Sequence, residues 1–137
     1  MKIFRFIPLM GIVLLLYNVF ALNYSNPTLS LWSQTAFTIA LPSNAALSLS
    51  YSSIFILFAL FILFIELVKS TTASNVAMIE QTLSTFVFVG FLLQLFLSPH
   101  VAEPTFFILM TISFVEVMAG FIILLKVARR DFGVIGG

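Results

Sequence analysis

Residues 53–68 read SIFILFALFILFIELV, and this stretch decides the class of the protein. Its apolar run is unbroken from Ile54 to Ile65. The whole chain has the same bias, since 61% of its 137 residues are hydrophobic, 8% are charged and the mean hydropathy is +1.20. Soluble domains carry about 25% charged residues. A chain this poor in charge needs lipid to cover its surface.

Three other stretches are also apolar over most of their length, and a membrane-spanning helix takes about 20 residues. The sequence therefore predicts an all-α membrane protein, a four-helix transmembrane bundle in a single domain of residues 1–137. We expect Ser52 or Ser53 to cap the second helix and Pro104 to begin the fourth. The tail, 131–137, is expected to end in flexible glycines. The predicted helices cover about 3–22, 53–68, 76–97 and 104–127.

The first of these spans also has the features of a cleaved signal peptide. Lys2 and Arg5 precede its apolar stretch, and Val19-Phe20-Ala21 has the small-residue pattern of a cleavage site. A signal core has about 7–15 apolar residues, and this stretch is longer. We therefore expect the first helix to be retained, with the signal peptide as the alternative.

The basic residues all fall on one side of this four-helix arrangement. The other side, formed by 23–50 and 98–103, holds none of them. The positive-inside rule then predicts that both termini are cytoplasmic. Short connections predict that the second, third and fourth helices are sequential antiparallel neighbours, whereas the first can pack on either side or on another copy. The basic residues are Lys2, Arg5, Lys69, Lys126, Arg129 and Arg130.

The segment between the first two helices, residues 23–50, has no charged residue and no histidine. On both sides of Pro42-Ser43-Asn44, apolar residues alternate with small or hydroxyl-bearing ones, which is typical of a β-hairpin. A two-stranded hairpin alone is marginally stable. We therefore expect an extracytoplasmic hairpin whose apolar side packs on helix ends or on a neighbouring copy. The apolar positions are Phe37, Ile39, Leu41, Leu47, Leu49 and Tyr51.

Glu116 is the first candidate for a functional residue within the spans. It lies about 18 Å into the fourth helix at 1.5 Å per residue, near the bilayer midplane, where a carboxylate costs several kcal/mol. It should therefore face protein or water. Ser113 and Gly120 share its helix face. Two interpretations follow, a proton- or cation-binding site and a hydrogen-bonded carboxyl that joins helices, and the second is favoured.

Four other polar residues within the predicted helices have simpler interpretations. Glu66 lies one turn before Lys69, so we expect an interfacial residue that snorkels and pairs with that lysine. Glu80 suits the favourable dipole at the start of the third helix. Asn18 and Gln94 lie near the outer ends of their helices and are expected to hydrogen-bond across helices. A substrate site built from these two amides is the less favoured alternative.

Motifs for most kinds of chemistry are missing from the sequence. There is no cysteine, no phosphate-binding loop and no Ser–His–Asp arrangement. His100 and the nearby Glu103 do not make a metal site, which needs three or four ligands, and no span contains a histidine for haem. Basic clusters suited to nucleic acid are also missing. We expect no cofactor, no metal, no nucleic acid and no enzymatic activity.

The end of the chain, GFIILLK at 120–126 followed by ARRDFG at 128–133, resembles that of small uncharacterised bacterial inner-membrane proteins with four transmembrane helices. The hydroxyl-rich hairpin before the second helix is similar to theirs as well. This resemblance implies a bacterial inner membrane and the same topology. It implies no activity and no functional residue.

Three classes of function remain compatible with these features. The favoured one is a structural or accessory subunit, whose partners are the lipid bilayer and either other membrane subunits or further copies of itself. The second is a small proton- or cation-coupled transporter or channel that uses Glu116. The third is a lipid-modifying enzyme, for which the sequence offers no nucleophile, metal set or head-group clamp. A wet cavity at Glu116 favours transport, and a dry protein environment favours the subunit.

Overall fold

The computed structural model describes residues 6–24, 30–72 and 74–135 and places four helices and one hairpin in them. Three of the helices are long and apolar enough to cross a membrane, and α1, with 15 residues, is a shorter apolar helix. The protein is therefore helical and of the membrane class, as predicted. The elements are α1 Leu9–Asn23, β1 Thr35–Ala40, β2 Ala46–Ser50, α2 Tyr51–Ser70, α3 Asn75–Leu97 and α4 Pro104–Ile135.

Two helices differ from their predicted lengths. α1 begins at Leu9 rather than at residue 3, because Pro8 is extended and Pro8 restricts the residue before it; residues 1–5 lie outside the described part. α4 continues to Ile135, beyond the predicted end at 127, and the final glycines at 136 and 137 lie outside the described residues. One glycine, Gly133, costs a helix only about 1 kcal/mol and does not end it.

Serine side chains cap the N-termini of two of the long helices. Ser50, not Ser52 or Ser53, caps α2, and its hydroxyl accepts a 3.2 Å hydrogen bond from the Ser53 amide. Ser74 caps α3 by accepting from the Ala77 amide at 3.1 Å. Both caps satisfy amides that the helix itself leaves without a partner. The prediction for α2 missed because the strand β2 leads directly into the helix, which moves the start by two residues.

The helices form a four-membered bundle in which α4 packs chiefly against α2 and α3. α1 also contacts both α2 and α3, while α2 and α3 touch each other only slightly. The predicted neighbours α3 and α4 are therefore adjacent, but α2 and α3 lie diagonally, which corrects the sequential arrangement. The physical reason is the buried face of α4, which fills the space between them. This face includes Phe106, Leu109, Ile112, Ser113, Glu116 and Val117.

The apolar core lies towards one end of the bundle, where α2 begins, α3 ends and α4 begins. We call this the Glu103 end and the opposite one the Lys69 end. Tyr17 is fully buried here and stacks on Trp32 with ring centroids 4.7 Å apart and planes 3° from parallel. Phe106 and Phe55 pack around the same tyrosine. Trp32 thereby fastens the chain just before the hairpin to the helices.

The hairpin has the predicted turn and the predicted alternation. β1 and β2 are antiparallel, with Ile39 opposite Leu47 and Thr38 opposite Ser48. Asn44 adopts a positive φ of 63°, which asparagine tolerates better than most residues. The alternation ends one residue earlier than expected, since Tyr51 begins α2. The apolar side is largely exposed within a single chain, so packing on helix ends is not what covers it.

Candidate functional site

Four ionisable side chains meet at the Lys69 end of the bundle, and we call them the carboxyl cluster: Glu66, Lys69, Glu80 and Glu116. The carboxyls are buried, with exposed fractions of 3% for Glu66, 8% for Glu80 and 3% for Glu116. They come from three different helices, α2, α3 and α4. Glu116 lies within electrostatic range of the other three. The buried carboxyls of the described residues therefore lie at one end of the bundle.

Glu66 joins the start of α1 to the end of α2. Its Oε1 accepts a hydrogen bond from the Leu9 backbone amide, and its Oε2 lies 3.3 Å from the Lys69 ammonium. A carboxylate at a helix N-terminus satisfies an orphan amide and suits the helix dipole. The predicted Lys69 pair is present, but Glu66 is buried rather than snorkelling. The sequence gives no sign that α1 covers Glu66.

Glu80 shares Lys69 with Glu66, because the ammonium also forms an ion pair with Glu80 Oε1. The two carboxyls belong to α2 and α3, which are joined by residues 71–74. The position of Glu80 in the sequence indicates only a role at the helix dipole and does not reveal this ion pair. The signal was the short connection, which brings a lysine and a glutamate at its two ends close together.

Glu116 has fewer partners than the other two carboxyls. Ser84 of α3 lies beside it, but its Oε2 is buried without a hydrogen-bond partner among the described residues. Ser113, one turn away on the same face, is fully buried, and its hydroxyl also lacks a partner there. Glu116 thus faces protein within its own chain rather than lipid. Two polar atoms on this face of α4 remain available for a ligand.

Gly120 allows α3 and α4 to approach closely beside Glu116. A Cβ added at this glycine would lie 2.8 Å from Gln81 Cδ, too close for real atoms. The Gln81 amide instead donates a buried 3.0 Å hydrogen bond to the Val117 carbonyl. The space beside Gly120 is therefore filled by a helix of the same chain. The sequence had not singled out Gln81.

A cavity of about 110 Å³ opens beside the carboxyl cluster at the Lys69 end. Lys69 and Glu80 line it, together with residues of the connection and the first turn of α3: Thr72, Ser74, Val76 and Ala77. A space of this size holds several water molecules. Water at the mouth of the cavity therefore reaches the Lys69–Glu80 ion pair.

A second polar group lies at the Glu103 end and was partly predicted. Asn18 of α1 donates a 3.1 Å hydrogen bond to Gln94 of α3, and the Gln94 amide donates back to Asn18. The Tyr17 hydroxyl donates to Glu103 at 2.9 Å. Glu103 also accepts a 3.2 Å hydrogen bond from the amide of Thr105, in the first turn of α4. These bonds hold α1 against the other helices, and the Glu103 contacts were not predicted.

The polar groups at the two ends are separated by apolar side chains. Phe91, Phe106 and Leu109 are fully buried between them, and Ile112 is 6% exposed. His100 is exposed in a short turn at the Glu103 end. Within the described ranges, no group of three or more His, Cys, Asp or Glu side chains is placed to hold a metal ion.

Comparisons with known proteins add no further constraint on this site. No family model, no curated protein and no solved structure matches the chain.

Proposed function

We propose that the protein is a non-enzymatic structural or accessory membrane subunit, which assembles with other membrane proteins or with further copies of itself. The observation that supports this most is the apolar face of the hairpin. Phe37 is 48% exposed, Ile39 42% and Leu47 44%. The opposite face carries hydroxyls, with Thr38 and Ser48 bonded at 3.1 Å. A hairpin with one water-compatible face and one uncovered apolar face suits contact with a partner.

Protein is a better cover for this face than lipid. A two-stranded sheet leaves open edges, and unpaired backbone groups are not tolerated in hydrocarbon. The sheet therefore cannot sink into the lipid with its edges exposed, whereas a neighbouring protein can pair with an edge and cover the apolar side chains. Residues 30–50 carry no charge that would oppose such a contact.

The orientation and location belong to the same proposal. The described basic residues, Lys69, Lys126, Arg129 and Arg130, lie at the Lys69 end or beyond it. The positive-inside rule therefore assigns that end to the cytoplasm and the hairpin to the other side. The resemblance of residues 120–133 to bacterial inner-membrane proteins supports an inner-membrane location.

The proposal is tested by changing the hairpin face by face. Phe37→Ser with Ile39→Ser removes apolar contacts, and Thr38→Ala with Ser48→Ala is the matched control on the opposite face. Complete burial of each apolar residue contributes about 1.5–3 kcal/mol, so covering their exposed halves contributes about 2 kcal/mol together. We expect assembly to weaken roughly 30-fold in the first variant, and to be unchanged in the control.

Native mass spectrometry of the purified full chain measures this assembly, and circular dichroism checks that both variants keep their helices. A wild-type chain that is strictly monomeric and has no stoichiometric membrane partner would refute the proposal. Equal assembly of the two variants would show that the hairpin face is not the contact.

A second candidate function is a small proton- or cation-coupled transporter that uses Glu116. It is favoured by the partnerless Oε2 of that buried carboxyl. The apolar layer of Phe91, Phe106 and Leu109 speaks against it, because no polar path crosses this layer within the described residues. Proton-driven flux in liposomes that disappears in Glu116→Gln would favour this candidate over the accessory subunit.

A further inference from the structure

We propose that Glu116 is a reversible binding site for one proton, which reaches it from the Lys69 end of the bundle. This inference does not depend on the accessory role, because it concerns the interior of one chain. It rests on the charge balance of the carboxyl cluster, on the buried atoms without partners and on the cavity beside them.

The carboxyl cluster has more acidic than basic groups. The cluster has three carboxyls and a single ammonium, so full ionisation would leave two negative charges in excess. The described residues 6–24, which include α1, add no ionisable side chain at this end, only the Leu9 amide on Glu66. A buried charge without compensation costs several kcal/mol. Taking up a proton on one carboxyl lowers this excess from two negative charges to one.

Glu116 is the carboxyl of the cluster that takes up the proton. Lys69 is bonded to both Glu66 and Glu80, and Glu66 also has the α1 amide. Among the described residues, Glu116 forms no ion pair, and its Oε2 has no hydrogen-bond partner. The excess negative charge is therefore least compensated at Glu116. Its partnerless Oε2 is where the proton binds, converting the carboxylate to the neutral acid.

The site suits a proton better than a metal ion. A metal cation needs several oxygen atoms converging on one point. The described acidic side chains do not converge in this way, and the adjacent ammonium of Lys69 repels a further metal charge. A proton needs only one oxygen atom. The chemistry of the site thus selects a proton over a metal ion.

The proton has access to the cluster from the Lys69 end. The cavity lined by Lys69 and Glu80 brings water to the edge of the cluster. Towards the Glu103 end, Phe91 and Phe106 are fully buried and offer no polar group to relay a proton. Exchange is therefore one-sided, which describes a binding site that senses one compartment rather than a conducting path.

The experiment is infrared spectroscopy of the purified full chain in liposomes during a pH titration. The carboxylic acid C=O band reports the neutral acid directly. We expect wild type to show one protonated buried carboxyl that titrates reversibly and is lost completely in Glu116→Gln. Glu103→Gln, a change to the acid at the opposite end, should keep the band. Glu116→Asp, which retains a carboxyl group, should show a band displaced in frequency, and this keeps the test decisive if the Gln variant folds poorly.

Sodium and access provide two further measurements. The titration should not move when sodium replaces a large organic cation, whereas a sodium-dependent shift would overturn the choice of a proton. Ala77→Leu narrows the cavity and should slow proton uptake after an acid jump without changing its final extent. A band that persists unchanged in Glu116→Gln, or an uptake rate unaffected in Ala77→Leu, would overturn the proposed site or its access.

Discussion

The contact between Gly120 and Gln81 offers a direct measurement of how closely α3 and α4 must approach. In Gly120→Ala the new Cβ would lie 2.8 Å from Gln81 Cδ and 3.0 Å from its Nε2. The amide must turn away, and its hydrogen bond to the Val117 carbonyl is lost. Losing that bond costs about 0.5–1.5 kcal/mol, and overpacking adds about 1–3 kcal/mol. Because the amide is the end of a flexible side chain, we expect the lower part of the summed range, about 1.5–3 kcal/mol in total.

Gly133→Ala is the matched control, since it makes the same change in the same helix with no atom within 4 Å. Both variants gain the helix propensity of alanine, about 1 kcal/mol, and this gain cancels in the comparison. Unfolding in mixed detergent and dodecyl sulfate measures the free energy of both. Gly120→Ala should be the less stable by the amount above.

A double-mutant cycle identifies the cause of that loss. In a Gln81→Ala background the amide is gone, so Gly120→Ala should cost much less than it does in wild type. Equal stability of the two glycine variants, or an unchanged cost in the Gln81→Ala background, would refute the close approach of α3 and α4 at this glycine.

Two further predictions concern helix pairing and orientation. Asn18→Leu and Gln94→Leu should each destabilise the protein, and a double-mutant cycle in the same unfolding assay should give a coupling of about 1 kcal/mol; no coupling would show that the two amides act separately. Reporter fusions after Ser43 and after Thr72 should read opposite sides of the membrane, with Thr72 cytoplasmic. A cytoplasmic signal at Ser43 would contradict the orientation inferred from the basic residues.

The features predicted best from the sequence are those with a local cause. The hairpin follows from alternation on both sides of Pro42-Ser43-Asn44, and its strands and antiparallel pairing are present. The long apolar runs indicate membrane helices because composition alone requires lipid. Pro104 begins α4, as its missing amide suggests. In each case the deciding residues are neighbours along the chain.

The features that were missed depend on contacts between distant parts of the chain. Glu66 is buried because the start of α1 packs against it, and no residue near position 66 in the sequence indicates this contact. The same applies to Glu80, whose partner lies on another helix. α2 and α3 lie diagonally because α4 fills the space between them, although their short connection suggests a side-by-side pair. Periodicity identifies the faces of a helix but not which helix each face meets.

The bonds at the two ends of α1 determine its depth in the membrane. With 15 residues, α1 is about 22 Å long, well short of the roughly 30 Å of hydrocarbon in a bilayer. Its first amide is held by Glu66 and its far end by the Asn18–Gln94 pair. The position of α1 along the axis of the bundle is therefore determined by its bonds to α2 and α3 and not by bilayer thickness. In a thicker membrane, lipid must deform locally around α1 or the whole bundle must tilt, because α1 cannot slide to adjust.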